Sequence, residues 1–579
     1  MGMMISSVSL RPCVELNKKI KTIILMKKIN FKKSSFLKLL PVILLFFVFT
    51  GAKPGGGDDD IYTEINKNMD VFGRVYKEIA LNYVDEIDPA KFMQAGINGM
   101  LGTLDPYTNF LDQSRADEID LITTGKYGGI GITIGLKDSV IVVTDVLEGY
   151  SAEKEGIRIG DKIIDVDGIP LKGKSSGDIR ALVKGAPGTK VDMKIDRSGQ
   201  YIDFSLTREE INLKNVTYKG VLDDGIGYIK LERFNRYAIS EVTDALTEFK
   251  NKGEVKGIIL DLRGNPGGLL EAAVGILDKF VDKGNLLLIT KGRKSSSEKK
   301  YFAEETPMIG KKIPLVVLVN GNTASASEIV SGAIQDLDRG LILGTKTFGK
   351  GLVQVFAPLS YGNQLKITTQ KYFTPSGRWI QAKNYFKENK YGVFKQNPEY
   401  NKIVFKTLDG RPVYAEGGIT PDTIINVTED NELLTGLLNQ DMYFKFAEKY
   451  AGEHPDGSGF AMTDEIVDEF YSFLNQEQFS YSSNAETELS KLREILADKN
   501  YSDISIKYAD DLELELKSER LKDFDKSRPV MKMELTKEIM RRYKKPENEI
   551  TEAGLNDDIQ LQAALSIIKD PVLYNRFLK

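Results

Sequence analysis

The sequence predicts a multidomain α/β chain, and three patterns predict it. Between Ile211 and Val427, apolar strands bounded by glycine alternate with helices. Between Asp117 and Arg208, short strands of alternating polarity dominate, and the flanks on either side (Ile61–Leu111, and everything after Glu429) read as helices. Runs such as Gly-Ile-Ile-Leu and Pro-Leu-Val-Val-Leu-Val are apolar throughout, as strands covered on both faces are expected to be. With 579 residues and a prior of about 150 per domain, three or four domains are expected. The boundaries read as 1–52 for an N-terminal extension, 53–116 for a linker and helical region, 117–208 for the small β-rich module, 209–428 for the α/β core and 429–579 for a charged, mainly helical C-terminal region.

The N-terminus carries an address. Met26–Ser35 is basic, Leu39–Thr50 is apolar, and Thr50-Gly51-Ala52 offers small side chains, which is the order of a secretory signal peptide. The apolar run is short for a bilayer span; retained, it would act as a membrane anchor. Either way the body is expected to be exported, to a periplasm or cell envelope, and Met26 reads as a better start than Met1. Lys53–Asp60 is a polar linker. Val71, Val75, Ile79 and Tyr83 then recur every four residues, and Asp105-Pro106 is expected to stop the second helix. In the small module, Ser151–Glu155 and Ser176–Lys184 read as helices and Asp167-Gly168 as a hairpin turn. In the core, helices are expected near Ser240–Lys250, over Leu269–Phe280 and from Ser325, with Thr423–Val427 closing the sheet. Leu433–Tyr450, Thr463–Leu474 and Glu486–Ala497 are amphipathic candidates in the tail. Lys291–Lys300 reads as an exposed loop and His454 as a solvated loop residue.

Composition narrows the chemistry. The 79 basic and 83 acidic residues give no basic footprint for nucleic acid. Cys13 is the sole cysteine and His454 the sole histidine, so an intrachain disulfide and a Cys/His zinc site are excluded. Cys13 precedes the folded sequence, which argues against a cysteine nucleophile. A carboxylate-only metal site stays open, although no EF-hand-like spacing occurs and no metal is expected. A hydroxyl nucleophile here lacks an imidazole, so its base must be another group, and lysine is the natural one.

Ser325 follows the strand-like Ile313–Asn320 and a Gly-Asn turn and opens a helix to about Asp336. At a helix N-terminus free N–H groups favour developing negative charge, and that of Ala326 is a candidate oxyanion donor. The competing reading is helix capping, for which Thr323, Ser325 and Ser327 are all suited. Lys350 lies between two glycines and two apolar strands; buried there, its pKa falls toward neutrality, as a general base requires. Gln354, four residues on, is placed to orient the amine. Gly344–Lys350 also fits the spacing of a phosphate-binding loop, but Gly351 stands where Ser or Thr is needed and a strand follows instead of a helix, so nucleotide binding is rejected. Asp261–Gly268 is a glycine-rich turn between strand and helix, either a tight connection or a backbone surface that a substrate can approach.

Together, Ala-Ser-Ala-Ser-Glu-Ile around Ser325, Phe-Gly-Lys-Gly around Lys350, the Asp261–Gly268 loop and Tyr-Phe-Thr-Pro-Ser-Gly-Arg (372–378) resemble the C-terminal processing peptidases, or tail-specific proteases. The resemblance spans Ile61 to Val427 and implies a crotonase/ClpP-like α/β protease core with an inserted PDZ domain. It implies that Ser325 is the nucleophile, Lys350 the general base and Gln354 its orienting partner, with backbone N–H groups of Gly268 and Ala326 as the oxyanion hole. Thr323 stands where many relatives carry serine. The 117–208 module resembles a PDZ domain, and Gly128, Gly129, Ile130 and Gly131 would be its carboxylate-binding loop, followed by a strand whose open edge takes a peptide C-terminus.

The resulting expectation is an exported serine endopeptidase that cleaves near the C-termini of protein substrates through an acyl-enzyme. The expected partners are proteins or peptides with free, apolar C-termini. No nucleic acid is expected, membrane contact is confined to the N-terminal segment, and a homo-oligomer is left open. No metal or organic cofactor is implied. The alternatives are a non-catalytic PDZ-containing scaffold on a protease-like core, and another acyl transfer on a crotonase-like core, which leaves the PDZ module unexplained. The tail after Glu429 matches no motif.

Overall fold

A computed structural model of the chain describes residues 58–112, 115–137, 140–383, 385, 403–415, 417–426, 431–499 and 501–579. The targeting segment, Cys13 and Val427 lie outside the described residues. The chain divides into two units, residues 1–96 and 97–579. In the first, the helix Asp58–Asn82 meets the start of the helix Pro89–Leu101: Tyr76 and Phe92 stack 5.7 Å apart, and the Tyr76 hydroxyl donates to the Pro89 carbonyl at 2.8 Å. That second helix ends before Asp105-Pro106, its last turn closed by the Gly102 N–H on the Asn98 carbonyl. Asn109–Leu111, expected to be helical, is a strand.

The second unit is organised by a six-stranded sheet in the order Val216–Leu222, Ile226–Leu231, Gly257–Asp261, Leu315–Val319, Leu341–Gly344, Thr423–Ile424. Its first pair is antiparallel and the rest are parallel. Side chains alternate between faces. Ile258, Leu260 and Val317 pack against the helices Ala238–Lys252, Leu270–Leu277 and Ala326–Asp336. Tyr228, Ile259, Val316, Leu318 and Leu343 pack instead against Leu561, Ala564, Ile568 and Tyr574 of the two last helices, Ile559–Lys569 and Pro571–Phe577. The Tyr574 hydroxyl is bonded to both the N–H and the carbonyl of Leu315, at 3.0 and 3.2 Å. A sheet apolar on both faces needs two covers, and the chain supplies the second only at its end. Residues from both sides of 428/429 therefore share one hydrophobic cluster.

A five-stranded antiparallel sheet stands beside the core, with Gln364–Phe373 at its centre, paired to Asn109–Leu111, Leu352–Pro358 and Leu286–Gly292, the last of which pairs Lys299–Phe302. The expected exposed loop Lys291–Lys300 is thus the end of a hairpin, crossed by a Lys291–Glu298 ion pair at 3.4 Å.

The small module is an antiparallel sheet in the order Ile132–Lys137, Val140–Val146, Lys162–Val166, Lys190–Arg197, Gln200–Thr207. It is closed over Val143, Ile163, Ile179, Val191 and Leu206 by the helices Ser151–Glu155 and Ser176–Val183. Among the described residues Ile132–Lys137 is the terminal strand, paired on one side only.

The helices Glu432–Asn439, Met442–Glu453, Asp464–Gln476 and Asn484–Asp498 lead into a 40-residue helix, Asp503–Arg542. The single helix expected over Leu433–Tyr450 is broken at Asp441, whose φ of 59° no helix continues through. Met531, Leu535 and Ile539 of the long helix are buried against Phe446 and Phe470, while Ile504, Tyr508 and Leu512 of its first half are exposed. No apolar face persists along it, which is why periodicity did not announce it.

Candidate active site

Ser325 sits between the buried strand Leu315–Val319 and the helix Ala326–Asp336, with φ 57° and ψ −115°. A capping serine is ordinarily extended, and a positive φ without glycine is strained, so it persists only where surrounding bonds over-determine it. They do here. Thr323 Oγ1 donates to the Leu262 carbonyl at 2.9 Å, the Ala324 N–H to the Asn265 carbonyl at 3.0 Å, and the Ser325 N–H to Glu328 Oε2 at 2.9 Å.

The Asp261–Gly268 loop is the other side of this turn. A methyl group on Gly267 would lie 2.7 Å from the Ala324 carbonyl oxygen and 2.9 Å from Ser325 Cβ, so only glycine permits the approach. Gly268, exposed, forms a parallel bridge with Phe234. The bridge uses the Phe234 N–H on Gly267 (3.2 Å) and the Leu269 N–H on Phe234 (2.7 Å), leaving the Gly268 N–H outside it. Ala326 is in the first helical turn, where amides have no intrahelical carbonyl.

Lys350 lies in the loop before the strand Leu352–Pro358, and no helix follows it, in keeping with the rejection of a phosphate-binding loop. The loop is tied to the serine turn by Glu328. This carboxylate is fully buried and accepts from the Ser325, Gly349 and Lys350 N–H groups at 2.9, 2.7 and 2.8 Å and from Thr347 Oγ1 at 2.6 Å. Burial pushes its pKa up; the four donors oppose that. Burial also pushes the Lys350 amine down to about 8, helped by repulsion from Lys366 and opposed by Asp105 and Glu328. The amine stands 4.4 Å from the centre of the Tyr107 ring.

Gln354 is set by a bulge that pairs it with Thr368. Its amide donates to Thr368 Oγ1 at 3.1 Å, and Thr368 donates to Asp105 Oδ1 at 3.1 Å. A hydrogen bond from Gln354 to the Lys350 amine is not formed among the described residues. The structure thus brings together Ser325, Ala326, the Gly267-Gly268 turn and the Lys350 loop, and directs Gln354 toward Thr368.

Gly128 and Gly129 end the strand Lys126–Gly129, paired with Glu210 and Glu209, and Ile130 and Gly131 connect it to the edge strand Ile132–Lys137. The carbonyls of Gly128, Ile130 and Gly131 are taken by the N–H groups of Gly185, Ala152 and Leu147. His454 ends the helix Met442–Glu453, exposed and stacked on Tyr450 at 4.4 Å.

The sequence reading missed Glu328 and Tyr107. The Ser325-x-x-Glu328 spacing of a capping box was there to be read; its second use, gripping the lysine loop, was not.

Comparison with known proteins bears on both the site and the tail. A description of peptidase family S41 matches residues 225–388, a PDZ domain residues 142–197, an "Activating protease CtpB N-terminal domain" residues 55–115, and a "Probable PDZ-protease, C-terminal helical domain" residues 433–568. The chain is 36% identical over 321 residues to the carboxy-terminal-processing protease of Bartonella bacilliformis, covering 55% of this chain and 73% of that protein. It is 35% identical over 389 residues to the carboxy-terminal processing protease CtpA of Bacillus subtilis, covering 67% and 79%. Among solved structures, the photosystem II D1 C-terminal processing protease is 30% identical, covers 60% of this chain and 85% of its own, and superposes with a TM-score of 0.36.

Proposed function

This chain belongs to peptidase family S41, among the carboxy-terminal processing proteases that carry a PDZ domain, and on that premise we propose that it cleaves protein substrates near their C-termini through a Ser325–Lys350 dyad. Ser325 attacks the peptide carbonyl. Lys350, neutral, takes the hydroxyl proton and returns it to the leaving amine, and water then hydrolyses the acyl-enzyme. The N–H groups of Gly268 and Ala326 receive the oxyanion, where such donors contribute most. The observation that carries this reading is a partly buried lysine amine, lowered to about 8, on a loop that one carboxylate joins to a strained serine. Gln354 takes part by ordering Thr368 and Asp105 beside that amine.

The PDZ domain supplies the choice of substrate. Gly128–Gly131 would bind a terminal carboxylate, and the free edge of Ile132–Lys137 would pair with the last residues of the tail. A peptide ending in apolar residues with a free carboxylate is expected to be cut, or to stimulate cutting, faster than its amidated twin, because amidation removes the charge and leaves the side chains. Equal rates on the two peptides would remove tail reading from the proposal. Export follows from the Met26–Ala52 order. N-terminal sequencing of the protein from an envelope fraction should begin near Lys53; recovery of uncleaved, membrane-extracted chain alone would replace secretion with anchoring.

A further inference from the structure

We propose that Asp558, near the end of the chain, is a positioning residue for the glycine loop that faces Ser325, so that the C-terminal helices form part of the catalytic apparatus. The proposal rests on the reading of Ser325 and Gly268 given above. Its origin is Arg263, five residues before Gly268. The Arg263 guanidinium has five N–H donors, and all of them have acceptors. Nε and Nη2 donate to the Asp261 carboxylate at 2.9 and 2.6 Å, Nη1 and Nη2 to the Asp558 carboxylate at 2.9 and 2.6 Å, and Nη1 also to Gln560 Oε1 at 3.1 Å. A planar fork held between two carboxylates is fixed in orientation as well as in place, which a lone ion pair is not.

Each support is itself rigid. Asp261 is 2% exposed, ends the central strand Gly257–Asp261, and takes the Tyr228 hydroxyl at 2.7 Å. Asp558 caps the helix Ile559–Lys569 through the Leu561 N–H at 3.0 Å, and Leu561, Ala564 and Ile568 of that helix are buried against the sheet. Gln560 also donates to the Ile425 carbonyl at 2.8 Å. The loop backbone is anchored by Asp261 at the Arg263 N–H, by Asn320 at the Gly264 N–H (2.9 Å) and by the Asn265 amide on the Leu231 carbonyl (2.7 Å). Asp558 gives the Arg263 side chain a second anchor beside Asp261, from a separate element, that stops it swinging about that strand end. A displacement of about 1 Å in a catalytic group can lower turnover by two orders of magnitude, so the second anchor should register in catalysis.

Asp558→Asn isolates the effect. Asparagine caps helices as well as aspartate, and Arg263 stays paired with Asp261, so the fold is retained. In the full chain, kcat per active site titrated with a serine-reactive peptide phosphonate is expected to fall about tenfold, with KM within about twofold, since an oxyanion donor acts in the transition state. The melting temperature is expected to stay within a few degrees of wild type. A kcat per titrated site within about twofold of wild type would overturn the proposal, because a structural residue alters only the amount of folded enzyme. Should the asparagine variant fail to fold, Asp558→Ser, which also caps, carries the same two outcomes. Ser325→Ala, run alongside, separates the two readings. If it turns over like wild type, the dyad reading falls and this proposal with it; if it is inactive while Asp558→Asn matches wild type, only this proposal falls.

Discussion

Ser325→Ala, and separately Lys350→Ala, are expected to lower turnover of an unfolded protein substrate by at least about a thousandfold, and the double variant no further, because both groups serve one chemical step. Lys350→Arg should be equally inactive, since guanidinium stays protonated and its fork does not fit the place of an amine. Wild-type turnover in any of these variants would remove the dyad. The pH profile has a defined sign. The base must be neutral, and its pKa is lowered to about 8, so kcat/KM should rise through pH 8 and level off above it. Lys366 helps hold that value down by repulsion. Lys366→Met removes the repulsion, raises the Lys350 pKa, and should move the rising limb to higher pH; an unmoved limb would show that another group titrates.

The family was legible from local sequence because its chemistry sits in short, regular turns. A serine between a buried strand and a helix, a lysine between two glycines and a glycine loop after a strand are each written within a few residues, and the absence of a usable histidine narrowed the base. The inner core strands Leu315–Val319 and Leu341–Gly344 were equally plain, carrying no polar side chain. What escaped was whatever depends on distant parts of the chain. Asp558 is 295 residues from Arg263 and has no motif around it. The second cover of the sheet, Ile559–Lys569 and Pro571–Phe577, was read as part of a separate tail, since periodicity gives an apolar face but not its partner. Tyr107 lies just beyond a helix stop and looked like a connection, although its ring lies against the Lys350 amine. Gln354 shows the reverse limit: a spacing of four residues from Lys350 suggested a contact, but a β-bulge turns it toward Thr368.

Gly267→Ala is expected to cost about a hundredfold or more in kcat, comparable to losing an oxyanion donor. The added methyl would meet the Ala324 carbonyl at 2.7 Å, the Ala326 nitrogen at 2.8 Å and Ser325 Cβ at 2.9 Å, two of them backbone atoms that cannot rotate away. Relief requires the glycine loop and the serine turn to part, which moves the Gly268 and Ala326 N–H groups away from each other. Backbone strain contributes as well, since φ is 96°, and a side chain there costs roughly 1–2 kcal/mol. Gly264→Ala separates the two effects. Gly264 is in the same loop with φ 74°, but a methyl group on it meets nothing within 4 Å. That variant should pay the strain as a lower melting temperature and keep most of its turnover. If both variants lose activity equally, strain in the loop is what matters; if Gly267→Ala alone is inactive, the close approach of the loop to Ser325 is what builds the oxyanion site.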